Sequence, residues 1–257
     1  MLTLIGLGLF DEKDLSLRGI EEARKADKAY LELYTTAWLG DLKKLEEIVG
    51  KKIQVLSRKD LEENSEKILN EAREKNVVVF VGGDPLVATT HSALILEAMK
   101  LKIKTKIVHN SSIISAIAET GLHVYKFGPC VTIPLPEKTK GKLPESVYEI
   151  IKMNKRRGLH TLCLLDIDAE KEKFMKVREA IEILLELEEK RKEEVIDKNE
   201  KIVVFSRAGS DEVEIFFEAM EKLKEKEIEL PAVLIIPGLL HFTEKEFLEA
   251  ISSSLPC

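Results

Sequence analysis

Glutamine is almost missing from this 257-residue chain. Gln54 is the single example, while Asp, Glu, Lys and Arg together make up 33%. That trade of amides for ionisable side chains is the bias of hyperthermophile surfaces. A basic excess is also missing. Lys and Arg number 40 against 46 Asp and Glu, a formal charge of −6, which argues against a broad electrostatic grip on nucleic acid. The one tight basic cluster, Lys155, Arg156 and Arg157, suits the end of a helix, where cations meet the negative pole of the dipole. Cysteine is scarce: Cys130, Cys163 and Cys257 are odd in number and lack metal-site spacing. This points to a reducing intracellular compartment, with Cys163, inside an apolar run, as a small core residue. No apolar stretch approaches the roughly 20 residues of a membrane helix. The chain opens directly on a strand-like run instead of a signal peptide, so cytoplasmic residence is the expectation. No fixed-period repeat is present.

What the chain does have is 44% hydrophobic residues, enough for packed cores, and a length that suits two domains of about 120 residues each. Strand-like runs at 2–9, 29–33, 53–56, 77–81 (VVVFV) and 106–109 alternate with helical patterns at 16–27, 41–49, 60–75, 90–100 and 111–120. That order predicts a layered α/β domain with a largely parallel sheet, whose strand ends carry the ligand-binding loops. A segment rich in Gly and Pro, 121–141, fits a domain boundary. The expected division is an N-terminal α/β domain over 1–125 and a C-terminal one over 126–257. The second contains helices at 144–155, 170–189 and 243–252 and strands at 160–165, 202–205 and 232–236. The charge run at 188–201 reads as a solvated helix end and loop.

Several apolar runs end in small-residue loops: Gly6-Leu7-Gly8-Leu9, Gly82-Gly83-Asp84-Pro85-Leu86-Val87, Asn110-Ser111-Ser112-Ile113 and Arg207-Ala208-Gly209-Ser210. Small residues let a ligand approach the backbone, although tight turns need glycine in any case. The first loop is not a dinucleotide fingerprint, because the third glycine of G-x-G-x-x-G falls on Asp11, whose charge would repel a pyrophosphate. A ligand without phosphates suits it better. Asp84 has two open readings: a carboxylate for ribose hydroxyls or a ligand ammonium, or a turn aspartate bonding its own backbone. His91, His109, His123, His160 and His241 include no pair at the i, i+4 spacing of a helical metal site, so no metal is expected. His91 is the histidine nearest the Asp84 loop in sequence. No nucleophile elbow or Walker loop supports a hydrolase or P-loop reading.

Five segments carry a family resemblance: GLGL at 6–9, GDPLVATTH at 83–91, TGLHVYKFG at 120–128, GLHTLCLLDI at 158–167 and SRAGS at 206–210. In order and register, over nearly the whole chain, they resemble the diphthine synthases of the tetrapyrrole methylase superfamily. GDPLVATTH and GLHVYKFG are specific; GLGL and RAGS alone are weak. The resemblance implies two α/β domains with an interdomain cofactor cleft, a homodimer and S-adenosyl-L-methionine as cofactor. It implies contacts from Leu9, Asp84, Val87, Ser112 and Ile113 in the first half, and from Leu165, Ala208 and Ala232 in the second. It also implies methylation of the amino group of a 3-amino-3-carboxypropyl-histidine on translation elongation factor 2, up to the trimethylammonium. Some relatives also esterify the carboxylate, and the number of methyl groups stays open. No catalytic base is named, because water can take the amine's proton.

Two departures stand out. Relatives often have Pro-Gly-Asp-Pro where this chain has Gly82-Gly83-Asp84-Pro85, and histidine where it has Ala232. A backbone contact would survive the second change; a side-chain contact would not. The readings in competition are methylation of a corrin precursor or an RNA ribose, a non-catalytic S-adenosylmethionine sensor, and a nicotinamide oxidoreductase, the last disfavoured by the broken fingerprint.

Overall fold

A computed structural model describes residues 1–253, apart from the side chains of Glu170 and Ser253. Cys257 lies outside the described residues. The chain divides into two compact units. One is Met1–Ile114 with Ala169–Lys171, and the other is Ser115–Asp168 with the chain from Glu172 onward.

The first unit is built on strands β1 (Leu2–Gly6), β2 (Lys28–Glu32), β3 (Ile53–Leu56), β4 (Val77–Val81) and β5 (Thr105–Val108). They form one sheet in the order β3-β2-β4-β1-β5, with every pairing parallel. Between and after them run helices α1 (Leu17–Lys25), α2 (Leu42–Val49), α3 (Arg58–Glu62), α4 (Glu66–Glu74), α5 (Ser92–Lys100) and the one-turn α6 (Ile113–Ala116). Successive side chains of a strand point to opposite faces, and β4 feeds two cores accordingly. Val77, Val79 and Val81 pack with Leu69 and Ala72 of α4 and Leu94 and Ala98 of α5. Val78 and Phe80 pack with Ala23 of α1 and Leu45 and Val49 of α2. A continuous apolar run such as VVVFV is what a strand covered on both faces requires.

β2 is almost wholly buried, with Tyr30 and Glu32 also inside, because it lies between β3 and β4. Two expectations change here. The single helix expected over 60–75 is two. A capping box between Ser57 and Asp60 starts α3, and the Lys59 carbonyl accepts from both Glu63 and Asn64, which closes it before α4 begins. The helix expected over 111–120 is α6 followed by a 3-10 turn at Ile117–Thr120.

The second unit has strands β6 (Val131–Ile133), β7 (Thr161–Leu165), β8 (Ile167–Asp168), β9 (Lys173–Phe174), β10 (Lys201–Ser206), β11 (Glu214–Ala219) and β12 (Ala232–Ile236), with helices α7 (Glu145–Arg156), α8 (Val177–Arg191), α9 (Met220–Lys224) and α10 (Phe242–Ser253). Its main sheet runs β11-β10-β12-β7-β6. Only β6 and β7 are parallel; the other pairs are antiparallel. The helix expected over 170–189 starts at Val177, where Glu179 accepts from the Lys176 backbone N–H at 2.8 Å; the preceding residues form the β8–β9 hairpin. Cys163 is fully buried in the core of this unit, and burial pushes its thiol pKa up. The charge run is more ordered than expected: the Glu188 carboxylate accepts backbone N–H bonds from Glu193, Glu194, Val195 and Ile196. Among the described residues no helix is long and apolar enough to cross a membrane, and no cluster of His, Cys, Asp or Glu is placed to hold a metal.

Candidate functional site

In the first unit the small-residue loops meet at the carboxyl edge of the parallel sheet, where open α/β sheets bind ligands. Gly8 and Gly83 exchange two backbone hydrogen bonds, of 3.2 and 2.8 Å, so the loop after β1 is stitched to the loop after β4. The stitch needs glycine. A Cβ on Gly6 would stand 2.5 Å from the Gly83 carbonyl oxygen and 2.7 Å from the Asn110 Cβ, and Gly8 has φ +86. Beyond it, the Asp14 carboxylate accepts the N–H groups of Leu9 at 3.0 Å and Phe10 at 2.7 Å, fixing the backbone at Leu9. The Asn110 side chain donates to the carbonyls of Gly6 and Asp14 and so ties in the loop after β5. Asp14 and Asn110 do not stand out in the sequence, because a lone acid in a charged turn and an asparagine at a strand end carry no spacing signal.

Asp84 is 5% exposed. One carboxylate oxygen accepts the Leu86 N–H at 3.0 Å. The other lies 2.8 Å from His109 Nδ1 and accepts the Asn110 N–H at 3.2 Å. The turn reading of Asp84 is what the structure shows: it closes its own turn, and it also joins the β4 and β5 loops beside Ser112 and Ile113. Val87 donates its N–H to the Asp84 carbonyl, and Ala88 sits at φ 56, a left-handed conformation uncommon for a residue with a Cβ. Ser112 is buried, and Ile113 opens α6. Gly82, the departure from Pro, faces Thr36: a Cβ added there would collide with the threonine methyl. The structure thus brings together Leu9, Asp84, Val87, Ser112 and Ile113 on three stitched loops.

In the second unit the remaining candidates share one end of the main sheet. Leu165 ends β7, Ala232 opens the antiparallel β12, and Ser206, paired with Ala232, ends β10 just before Ala208. Arg207 holds φ 55, donates its N–H to the Pro231 carbonyl and pairs with Glu212. This keeps the Ala208 turn against the start of β12.

The TGLHVYKFG segment proves to be part of a buried polar hub. Glu244 of α10 is fully buried. Its carboxylate accepts the Lys126 ammonium, the backbone N–H of His123 at 2.9 Å and of His241 at 2.7 Å, and His160 Nε2 at 3.1 Å. The His160 tautomer follows: Nδ1 accepts the Gly238 N–H at 2.9 Å, so Nε2 carries the proton. Burial opposes ionisation of Glu244, but the Lys126 ammonium and the other donors outweigh it and hold the carboxyl down to about 2. Sequence reasoning passes over Glu244, a single acid in a charged helix start.

No Lys or Arg occurs in 6–9, 83–87 or 110–113. Those loops offer backbone groups, the hydroxyls of Ser111 and Ser112, the Asn110 amide, apolar side chains and one carboxylate. That donor set fits an adenosine bearing a cationic centre and offers nothing to neutralise phosphates.

Comparison with known proteins agrees with this chemistry. The family model for tetrapyrrole (corrin/porphyrin) methylases matches residues 1–224. A diphthine synthase of Methanocaldococcus jannaschii is 44% identical over 259 positions, covering 99% of this chain and 100% of that protein. One from Methanococcus aeolicus is 42% identical, covering 99% of each. A crystal structure of diphthine synthase superposes with a TM-score of 0.87 at 37% identity, covering 98% of this chain and 95% of that one. A putative diphthine synthase from Entamoeba histolytica reaches 0.88 at 36% identity, covering 98% of each.

Proposed function

The chain belongs to the tetrapyrrole methylase family, and from that premise we propose that it is an S-adenosyl-L-methionine-dependent methyltransferase of the diphthine synthase type. Its acceptor is the amino group of a 3-amino-3-carboxypropyl-histidine on translation elongation factor 2, methylated up to the trimethylammonium. The observation that carries this reading is full-length identity to diphthine synthases. The phosphate-averse loops at the sheet edge support the cofactor.

Leu9, Asp84, Val87, Ser112 and Ile113 would hold the cofactor from the first unit, and Leu165, Ala208 and Ala232 from the second. Bound there, the cofactor supplies a methyl group on a sulfonium. The protein's own work is positioning. Asp14 fixes the Leu9 backbone, Asp84 fixes the β4 and β5 loops against each other, and Ala232, lacking polar side-chain atoms, offers only its backbone to polar contacts. Holding two reactants in line accounts for a large share of such a barrier, and no side chain is assigned as base, because water can take the amine's proton. An acceptor on elongation factor 2 implies a cytoplasmic enzyme.

A homodimer completes the reading. Its support is an exposed apolar surface on the second unit, with Tyr125, Leu239 and Phe242 largely exposed. Sedimentation at micromolar concentration is expected to give the dimer mass; a monomer mass counts against this part. The activity is tested by mass spectrometry of elongation factor 2 carrying the aminocarboxypropyl histidine, after incubation with the protein and cofactor. Gains in steps of one methyl are expected. No gain, with cofactor binding intact, would send the search to another acceptor.

A further inference from the structure

The first unit holds a concavity of about 270 Å³ whose wall includes Tyr34, Glu62, Ser65, Thr90, His91 and Glu97. None of the eight candidate cofactor residues lines it. Two buried polar atoms of its wall, His91 Nε2 and Tyr34 Oη, have no hydrogen-bond partner among the described residues. His91 is 2% exposed, and the two rings stand 6.3 Å apart. Leaving a buried polar group unpaired costs about 1–3 kcal/mol, so two in one pocket point to a ligand.

From these groups we infer that the pocket binds a primary ammonium at the end of an alkyl chain.

The polarity of the wall selects that chemistry. His91 Nδ1 lies 3.2 Å from the Pro85 carbonyl oxygen, which can only accept, so Nδ1 carries the proton and Nε2 presents a lone pair; the nearest buried carboxyl, Glu32, stands 3.6 Å from Nε2, too far to satisfy it. Burial holds the imidazole pKa below its ordinary value, which preserves that lone pair at neutral pH. The wall's own hydroxyl donors are already used on its carboxylates: Thr90 Oγ1 donates to Glu62 at 2.9 Å and Ser65 Oγ to Glu97 at 2.8 Å. What remains is acceptors, plus the Tyr34 hydroxyl, which can do either. No Lys or Arg lines the pocket. An ammonium has three donors and no acceptor, and an anion would meet lone pairs. A guanidinium seeks a bidentate carboxylate, but both Glu62 oxygens and one of Glu97 already accept, so the wall offers negative charge and single acceptor sites, which suit a compact ammonium better than a planar fork. Leu61, Ala93 and Leu94 offer an apolar wall to methylenes.

The test uses the full chain with 15N-labelled histidine, titrated at constant ionic strength with n-butylammonium chloride and, separately, with n-butanol. A saturable shift of His91 Nε2 with the ammonium alone is expected. Glu62→Gln should weaken that binding at least tenfold, and Tyr34→Phe, which removes only the oxygen, should weaken it severalfold. Both variants are first checked for an unchanged melting profile; if one is altered, the other variant and the butanol comparison decide. An equal response to butanol, or unchanged affinity in folded variants, would overturn the inference and leave a cavity that holds water only. Tighter binding of Nα-acetyl-lysine methylamide than of butylammonium assigns the site to a protein lysine; the reverse order assigns it to a free amine.

Discussion

The ammonium of Lys126 meets the buried carboxylate of Glu244 across 118 residues of sequence. The same ammonium donates to the Leu239 carbonyl at 2.7 Å, so one lysine ties the YKFG segment both to the turn before α10 and to the first turn of α10. Removing one member of a buried pair leaves the other unpaired, which costs about 3–5 kcal/mol. Lys126→Met is expected to destabilise the protein by about 3 kcal/mol, read as a lower midpoint in denaturant unfolding. The sign with pH follows from the lowered Glu244 pKa. The folded carboxyl titrates below its unfolded value, so its contribution is complete above about 4.5 and is lost as pH falls toward about 2. Wild type should lose stability across that window more steeply than Glu244→Gln.

Gly6 is a second test. Its absent Cβ leaves room for the Gly83 carbonyl and for Asn110. Gly6→Ala must push the β1 and β4 loops apart, and overpacking of this kind costs about 1–3 kcal/mol. A lower melting temperature together with weaker cofactor binding is expected. Binding unchanged in calorimetry would mean that the stitched loops do not form the cofactor site.

How much of this is legible in the sequence depends on where the information sits. VVVFV and the glycine loops announce themselves, because burial on both faces and tight turns each leave a local composition. The parallel first sheet follows from strand–helix alternation. The break between α3 and α4 escapes notice because amphipathic spacing continues through Leu61, Ile68 and Leu69, while the stop is made by backbone bonds from Glu63 and Asn64 to the Lys59 carbonyl. The edge strand β11 escapes because Glu214 and Glu218 disguise its alternation. Of the site, the loops and their candidate residues are readable. Asp14, Asn110 and Glu244 are not, since each works through partners far away in sequence or through backbone groups that composition does not reveal.

Asp84 separates two roles. Its three donors hold the loop, and a contact to the cofactor would be a second role. Asp84→Ala is expected to weaken S-adenosylmethionine binding at least tenfold, about 1.4 kcal/mol, measured by calorimetry on a variant confirmed folded. Asp84→Asn keeps the shape and removes the charge. If it binds as wild type does, the carboxylate acts only as a loop clasp.

Glu32 and His91 face each other at 3.6 Å, both almost without exposure, and their titrations oppose one another. Burial pushes the Glu32 carboxyl up to about 7, against the hydrogen bonds it accepts from Thr35 and Tyr34. A folded acid with a raised pKa holds its proton where the unfolded chain has released it. Stability from this group is therefore greatest below about 4.5 and declines as pH rises through about 7, by on the order of 3 kcal/mol in all. His91 works the other way: with its pKa lowered by burial, it favours unfolding as pH drops below its ordinary value near 6.5. The difference between wild type and Glu32→Gln isolates the acid. Denaturant unfolding from pH 5 to pH 8 should show the variant gaining stability relative to wild type as pH rises. A flat difference would show that Glu32 stays ionised in the fold, and the acceptor-rich wall beside His91 would then carry one more negative charge.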